Sequence, residues 1–261
     1  MTISEVLKKH PQIEADLLLG HVLHKGKEFL YLNGEKQLTI KQLNHFIDLA
    51  VKRKKGLPVA YLVGYKYFHG LKYKVTPDVL IPRPETEWLV DKVIEYCKEF
   101  NKSKPQAKIL DVGTGSGAIA VNVAKYCKAK VFASDISSKA LSVAKINAKA
   151  NKAKVNFVKS DLFENVKGKF DIIIANLPYV PASDYKKLYK NLRHEPRLAL
   201  TDGRDDFKLI LKFLEQAKLH VTPDGVILLE VDPKTFKYLR PYKPQIFKDI
   251  HGLNRFAIIK F

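Results

Sequence analysis

Apolar residues change their spacing along this chain, and the changes divide it into a helical stretch, a strand-like stretch and a long alternating stretch. In residues 1–56 the spacing is helical. "ISEVLKKH" reads as one short helix and "PQIEADLLLGHVLH" as another, with Ile13, Leu17, Leu18 and His21 on one face. A third helix is predicted to start at a Thr39 N-cap, run through "IKQLNHFIDLAVKRKK" and stop at Gly56. "GKEFLYLNGEKQL" between them reads as a loop. Residues 57–84 turn to Tyr, Val and Phe in partial alternation around Gly70, which predicts a hairpin linker. "IPRPETEWLVDKVIEYCKEF" then passes through two prolines and a capping-like Glu-Thr-Glu into an amphipathic helix.

After the polar "NKSKPQ", strands and helices alternate. "AKILDVG", "KVFASDI", "KVNFVKSD", "FDIIIANLPY" and "GVILLEV" read as strands, most of them apolar throughout. "GAIAVNVAKYC", "SSKALSVAKINAKAN" and "DFKLILKFLEQAKLH" read as helices among them. Continuous apolar strands separated by helices predict a doubly wound, mostly parallel α/β sheet with both faces covered. The tail "QIFKDIHGLNRFAIIKF" has the form of an antiparallel pair at the sheet edge. The expected organisation is therefore a helical domain over 1–56, a hairpin linker over 57–84 and an α/β domain over 85–261.

Composition narrows the setting. A chain of 261 residues with 46% hydrophobic and 28% charged residues is globular in type. No apolar run reaches membrane-spanning length, and the N-terminus has no basic flank followed by an apolar stretch. Cys97 and Cys127 have neither CxxC nor Cys/His spacing, so reduced thiols in a cytoplasmic protein are expected, with no metal. The net charge of +19 is spread along the chain: residues 1–75 hold 13 Lys/Arg against 6 Asp/Glu. Most of the cations are lysines, which suit a solvated surface and leave RNA as a weak, electrostatic partner.

Candidate chemistry lies where strands end. "DVGTGSG" places Gly113, Gly115 and Gly117, with Thr114 and Ser116 between them, where the first strand of the alternating stretch meets its helix. Glycines there let the chain turn tightly and let a ligand reach main-chain amides. Asp135, followed by Ile136, ends the next strand 18 residues after Gly117, where a carboxylate can accept both hydroxyls of a ribose. Asp161, followed by Leu162, ends the third, where it or the adjacent backbone can meet an adenine amino group. The spacing G-x-G-x-G and the acid Asp111 just before the turn suit a sulfonium cofactor better than a diphosphate. S-adenosyl-L-methionine is the expected ligand.

"NLPY", Asn176–Tyr179, ends the fourth strand on the same edge. The Asn176 carboxamide oxygen and the Leu177 carbonyl, held extended by Pro178, can accept both hydrogens of a planar NH2 group. Tyr179 can pack against a flat substrate. These features point to methyl transfer onto a delocalised nitrogen, by positioning and electrostatics.

Asp-x-Gly-x-Gly-x-Gly with Asn-x-Pro-Tyr resembles the amino-methyltransferases, and the whole chain is similar to the release factor glutamine methyltransferases, the PrmC/HemK family. "RKKGLPVAYLVGYKYFHGL", "VLIPRPETEWLV", "EPRLALTDGRDDFKLI" and "KDIHGLNRFAII" carry the likeness. It implies a small helical N-terminal domain for substrate recognition on a class I S-adenosylmethionine-dependent methyltransferase domain. The implied target is the glutamine of the Gly-Gly-Gln loop in peptide chain release factors. Cofactor contacts carry over to Gly113–Gly117, Asp135, Leu162 and Asn176, and substrate contacts to Asn176, Leu177, Pro178 and Tyr179. Arg83 and Glu85, in the Pro-Arg-Pro-Glu-Thr-Glu segment, are expected beside the substrate channel. A monomer is expected.

In one position this chain departs from that family, which reads Asn-Pro-Pro-Tyr: Leu177 stands at the first proline. The carbonyl survives, but the fixed φ at 177 is lost and a less rigid loop is expected. NLPY also resembles enzymes that dimethylate adenine in ribosomal RNA, which makes an adenine exocyclic-amine methyltransferase the alternative. A cytosine carbon methyltransferase is disfavoured because neither cysteine occupies a loop suited to a nucleophile.

Overall fold

The computed structural model describes residues 1–10, 14–103, 105–185, 187, 192–204 and 207–260. Ile13, placed on a helix face by its spacing, lies outside them. The chain forms two compact units. Met1–Tyr65, with the turn Leu192–His194, makes the first, and the rest of the described chain makes the second.

The first unit is helical: α1 (Ile3–Lys9), α2 (Glu14–Leu23), α3 (Lys27–Leu32), α4 (Ile40–Lys54) and α5 (Val59–Val63). α1 and α4 both start in capping boxes, at Thr2 with Glu5 and at Thr39 with Gln42, each satisfying two backbone donors that a helix start leaves open. Ile3, Val6, Leu18, Leu19, Leu30, Phe46 and Leu49 form its core. Two expectations change here. The loop between the second and third helices contains α3, anchored by buried Leu30. The expected hairpin linker begins as α5, whose Val59, Leu62 and Val63 recur at helical spacing and pack on the same core. The remainder of that segment belongs to the second unit.

The second unit carries a hairpin, β1 (Tyr65–Phe68) and β2 (Leu71–Lys74), and then α6 (Glu87–Ser103). The alternating part runs β3 (Ala107–Val112), α7 (Ala118–Tyr126), β4 (Ala129–Asp135), α8 (Ser138–Ala150), β5 (Val155–Lys159) and β6 (Phe170–Asn176). After the single turns α9 (Ala182–Tyr185) and α10 (Arg197–Leu200) come α11 (Lys208–His220), β7 (Val221–Glu230) and the turn α12 (Phe236–Leu239). β8 (Gln245–Lys248) and β9 (Asn254–Lys260) close the chain. The seven-stranded sheet has the order β5-β4-β3-β6-β7-β9-β8, with the first five strands parallel and β9 antiparallel to both neighbours.

Successive residues of a strand point to opposite faces, and the two layers of core follow that alternation. Ile109, Ile172, Ile174, Val226 and Leu228 pack with Leu89, Val90 and Val93 of α6 and with α7. Leu110, Val112, Ile173, Ile227 and Leu229 pack on the other face with Ile210, Phe213 and Leu214 of α11. The hairpin docks through buried polar groups as well. Asn122 donates to the Tyr73 hydroxyl at 2.7 Å, and Asn147 joins the Lys74 backbone to the Ser116 carbonyl. The three Asn147 bonds fix the hairpin against the glycine turn. No helix among the described residues is long and apolar enough to cross a membrane.

Candidate active site

Parallel β3, β4, β5 and β6 end on one edge of the sheet, and a cavity of about 350 Å³ opens there within the second unit. Gly113, Thr114, Gly115 and Ser116 line it, as do Asp135, Ile136, Asp161, Leu162, Asn176, Leu177, Pro178 and Arg83.

The turn after β3 has φ of +74°, +55° and +80° at Gly113, Gly115 and Gly117, backbone that side chains rarely tolerate. Two of the glycines are also closely packed. A Cβ on Gly113 would lie 3.0 Å from Leu177 Cδ2, and one on Gly117 would lie 3.0 Å from Ala144 Cβ. The Gly113 and Thr114 amides both donate to the Ser134 carbonyl, at 2.9 Å. The Gly115 amide donates to Asp135 Oδ2 at 2.8 Å, and the Ser137 amide to Oδ1 at the same distance. Asp135 therefore ties the turn to the end of β4 while bordering the cavity, and burial raises its carboxyl above the usual range.

At the third strand end Asp161 carries an ion pair to Lys212 at 3.5 Å. Leu162 is buried with φ of +47°, an uncommon conformation for leucine that turns the backbone beside the cavity. The cradle thus offers a turn without side chains, a carboxylate at the second strand end and backbone at the third. That arrangement fits the ribose and adenine of S-adenosylmethionine.

Asn176 closes β6, opposite Glu230 of β7 in the sheet register. Its Nδ2 donates to Thr86 Oγ1 at 3.2 Å. The Leu177 side chain is 5% exposed and joins the second core layer, resting against Gly113. Burial of the side chain anchors this loop.

Four expected contributors sit elsewhere than the cavity wall. Asp111 is fully buried behind the turn, where its Oδ2 accepts from the Thr114 hydroxyl at 2.7 Å and the Ala120 amide at 3.2 Å. Burial pushes its carboxyl up to about 7. Within "AKILDV" nothing in the sequence marked the acid as facing α7. Gly117, at the far end of the turn, packs on α8 through Ala144. The Tyr179 hydroxyl donates to Glu230 Oε1 at 3.1 Å and Arg255 lies over its ring at 5.7 Å, so the ring is engaged with protein. Glu85 points to His251, 3.4 Å away, and is not a cavity residue. Arg83 does border the cavity, but its guanidinium is paired with buried Glu195, which also accepts from the Ile81 amide at 3.0 Å. The two segments Pro82–Glu87 and "EPR" are thereby clamped together.

Sequence reasoning missed Thr86, Glu195 and Glu230. Glu230 had a signal, a carboxylate closing the apolar run "GVILLE" on the same sheet edge as Asn176. The other two needed tertiary contacts to be seen.

Comparison with known proteins places this geometry. The PrmC N-terminal domain family matches residues 2–64, and the Methyltransferase small domain family matches residues 96–204. The chain is 38% identical over 255 residues to the release factor glutamine methyltransferase of Rhodopirellula baltica, covering 95% of this chain and 86% of that protein. It is 32% identical over 254 residues to the protein of the same name from Deinococcus radiodurans, covering 95% and 90%. Among solved structures, the T. thermophilus 16S rRNA N2 G1207 methyltransferase in complex with AdoMet and guanosine superposes with a TM-score of 0.53. That pair shares 20% identity over 75% of this chain and 49% of the other, a likeness of fold.

Proposed function

The chain belongs to the release factor glutamine methyltransferase family, and from that premise we propose how its residues act: it methylates the side-chain amide nitrogen of the glutamine in the Gly-Gly-Gln motif of peptide chain release factors. One observation carries the reading beyond family membership. The glycine turn and the Asn176-Leu177-Pro178 strand end border a single cavity, so a cofactor held by the first lies beside a substrate held by the second.

S-adenosylmethionine, when bound, supplies an activated methyl group. Gly113, Gly115 and the backbone between them would hold the amino-acid end of the cofactor, Asp135 the ribose hydroxyls, and Asp161 with Leu162 the adenine. Asn176 Oδ1 and the Leu177 carbonyl accept the two hydrogens of the glutamine NH2. An amide nitrogen is a poor nucleophile because its lone pair is delocalised into the carbonyl. Two acceptors on its hydrogens favour a more pyramidal, electron-rich nitrogen; one of its protons would pass to solvent once the methyl group is bonded to it, so no strong base is needed. Arg83 shapes the entrance through Glu195. Tyr179 holds its place by the bond to Glu230.

We propose that the protein acts as a monomer. We place the reaction in the cytoplasm, where release factors work. The net charge of +19 supports an additional weak, sequence-independent contact with RNA. The same clamp can hold an exocyclic adenine amine, and NLPY with the basic surface favours that as the second reading. Labelled S-adenosylmethionine offered with a release factor and, separately, with ribosomal RNA tests the ranking. Label is expected on the protein; label on RNA alone would reverse it.

A further inference from the structure

A carboxamide can act as an acceptor toward substrate only when turned one way round, and groups outside the Asn-Leu-Pro-Tyr segment decide which way Asn176 is turned. Asn176 Nδ2 lies 3.2 Å from Thr86 Oγ1. Thr86 Oγ1 lies 2.7 Å from Glu230 Oε2. The Tyr179 hydroxyl lies 3.1 Å from Glu230 Oε1. A hydroxyl carries one hydrogen, and Glu230 accepts a hydroxyl on each of its oxygens, Thr86 on Oε2 and Tyr179 on Oε1. Thr86 therefore gives its hydrogen to Glu230 and turns a lone pair to Asn176. Only the NH2 half of the carboxamide can meet a lone pair. The Oδ1 half is thereby left for other donors, on a residue that borders the cavity together with Thr86.

The surroundings keep this sequence of bonds from relaxing. Thr86 is 5% exposed and Glu230 is 2% exposed, so water does not readily replace either partner. The sheet register sets Glu230 directly beside Asn176 on the neighbouring strand. Thr86 comes from the turn Pro84–Thr86 that precedes α6, far away in sequence. Tyr179 occupies the second carboxylate oxygen, so a hydroxyl donates to each oxygen of Glu230. Arg255, named above over the Tyr179 ring, and Glu85 are the other charged groups acting on Glu230.

We propose that Thr86 and Glu230 are positioning residues, a relay of hydrogen-bond polarity from the Glu230 carboxylate through the Thr86 hydroxyl that holds the Asn176 oxygen toward the substrate NH2. The relay rests on the reading of Asn176 as substrate acceptor. It gives the Pro-Arg-Pro-Glu-Thr-Glu segment a role at its threonine, and it explains a carboxylate buried at the end of an apolar strand.

Thr86→Val keeps the shape and removes the hydroxyl. It is expected to lower kcat about 10–100-fold, part of the cost of losing one preorganised hydrogen-bonding group, with cofactor Kd and unfolding midpoint near wild type. Thr86→Ser restores the hydroxyl and is expected to bring kcat back to within about threefold of wild type. A merely structural role would move the midpoint and would not split the two variants in this way. A measurement on the wild-type chain needs neither a variant nor turnover. The Asn176 side-chain NH2 should give resolved proton resonances in nitrogen-edited NMR, exchanging with solvent much more slowly than those of an exposed asparagine. Wild-type kcat in Thr86→Val would overturn the relay, as would an Asn176 NH2 exchanging as fast as an exposed one. If the wild-type chain methylates no release factor, the functional reading fails, and the NMR measurement still decides the relay.

Discussion

Asn176 closes β6 and Asp111 is the penultimate residue of β3, near the same sheet edge, yet their surroundings give them different work. Asn176 borders the cavity with its NH2 committed to Thr86, whereas Asp111 is sealed behind the turn by Thr114 and Ala120. Asn176→Ala should reduce turnover by about 10²–10³-fold, with the cofactor Kd changing much less. Single-turnover kinetics beside calorimetry checks both halves; a large loss of cofactor affinity with normal turnover at saturation would refute the role. Asp111 is predicted to speak in stability. Its folded carboxyl titrates at about 7, against about 3.9 in an unfolded chain, so folding favours the protonated acid. Its contribution is fully present below the unfolded value and is lost as pH rises through the folded one. Asp111→Asn keeps an acceptor for Thr114 and Ala120 and removes the titration. Urea unfolding should then show a shallower decline of stability between about pH 4 and pH 7 than the wild type. Asn176 was legible in the sequence because a polar residue ends an apolar run before proline. Asp111 reads the same way in one dimension, and only the packing of α7 over β3 separates it from the site.

Among the elements, the glycine turn and the Leu177 loop depend on each other. Leu177 fills the space that a side chain at Gly113 would need, and Ala144 of α8 does the same at Gly117. Gly117→Ala adds both a steric contact and a strained φ, so it should cost about 1–3 kcal/mol in denaturant unfolding. Adding Ala144→Gly removes the Cβ contact but leaves the Cα of residue 144 at 3.2 Å and puts a glycine inside α8, at about 0.5–1 kcal/mol, so little of the loss should return. Leu177→Ala should cost about 2–4 kcal/mol, as expected of a buried leucine, and should lower turnover by loosening the carbonyl beside Asn176. Equal stability to wild type would contradict the anchoring role given to this side chain. The long strands and helices were legible because an apolar run flanked by turns leaves few alternatives. Helices of five and six residues, α5 and α3, were not, since so short a segment shows barely one period. The Thr86–Glu230–Asn176 contacts were illegible for another reason: they depend on the β6–β7 register and on a turn some 90 residues earlier in the chain.

For the whole molecule, family membership carries methyl transfer to a release factor glutamine, while the charge of +19 concerns encounter more than chemistry. Association with RNA should be the same for unrelated sequences and should weaken by at least about tenfold between 50 and 200 mM salt, as fluorescence anisotropy would show. A tight, salt-insensitive preference for one sequence would favour the adenine reading. The central claim is that the clamp at Asn176 holds a glutamine amide. The most direct test incubates a release factor with S-adenosylmethionine and either the wild-type chain or Asn176→Ala, then maps the modification by tandem mass spectrometry. One added methyl group on the glutamine of the Gly-Gly-Gln peptide, formed by the wild type and nearly absent with the variant, is the predicted result. An unmodified glutamine after prolonged reaction with cofactor-saturated wild-type enzyme would contradict it.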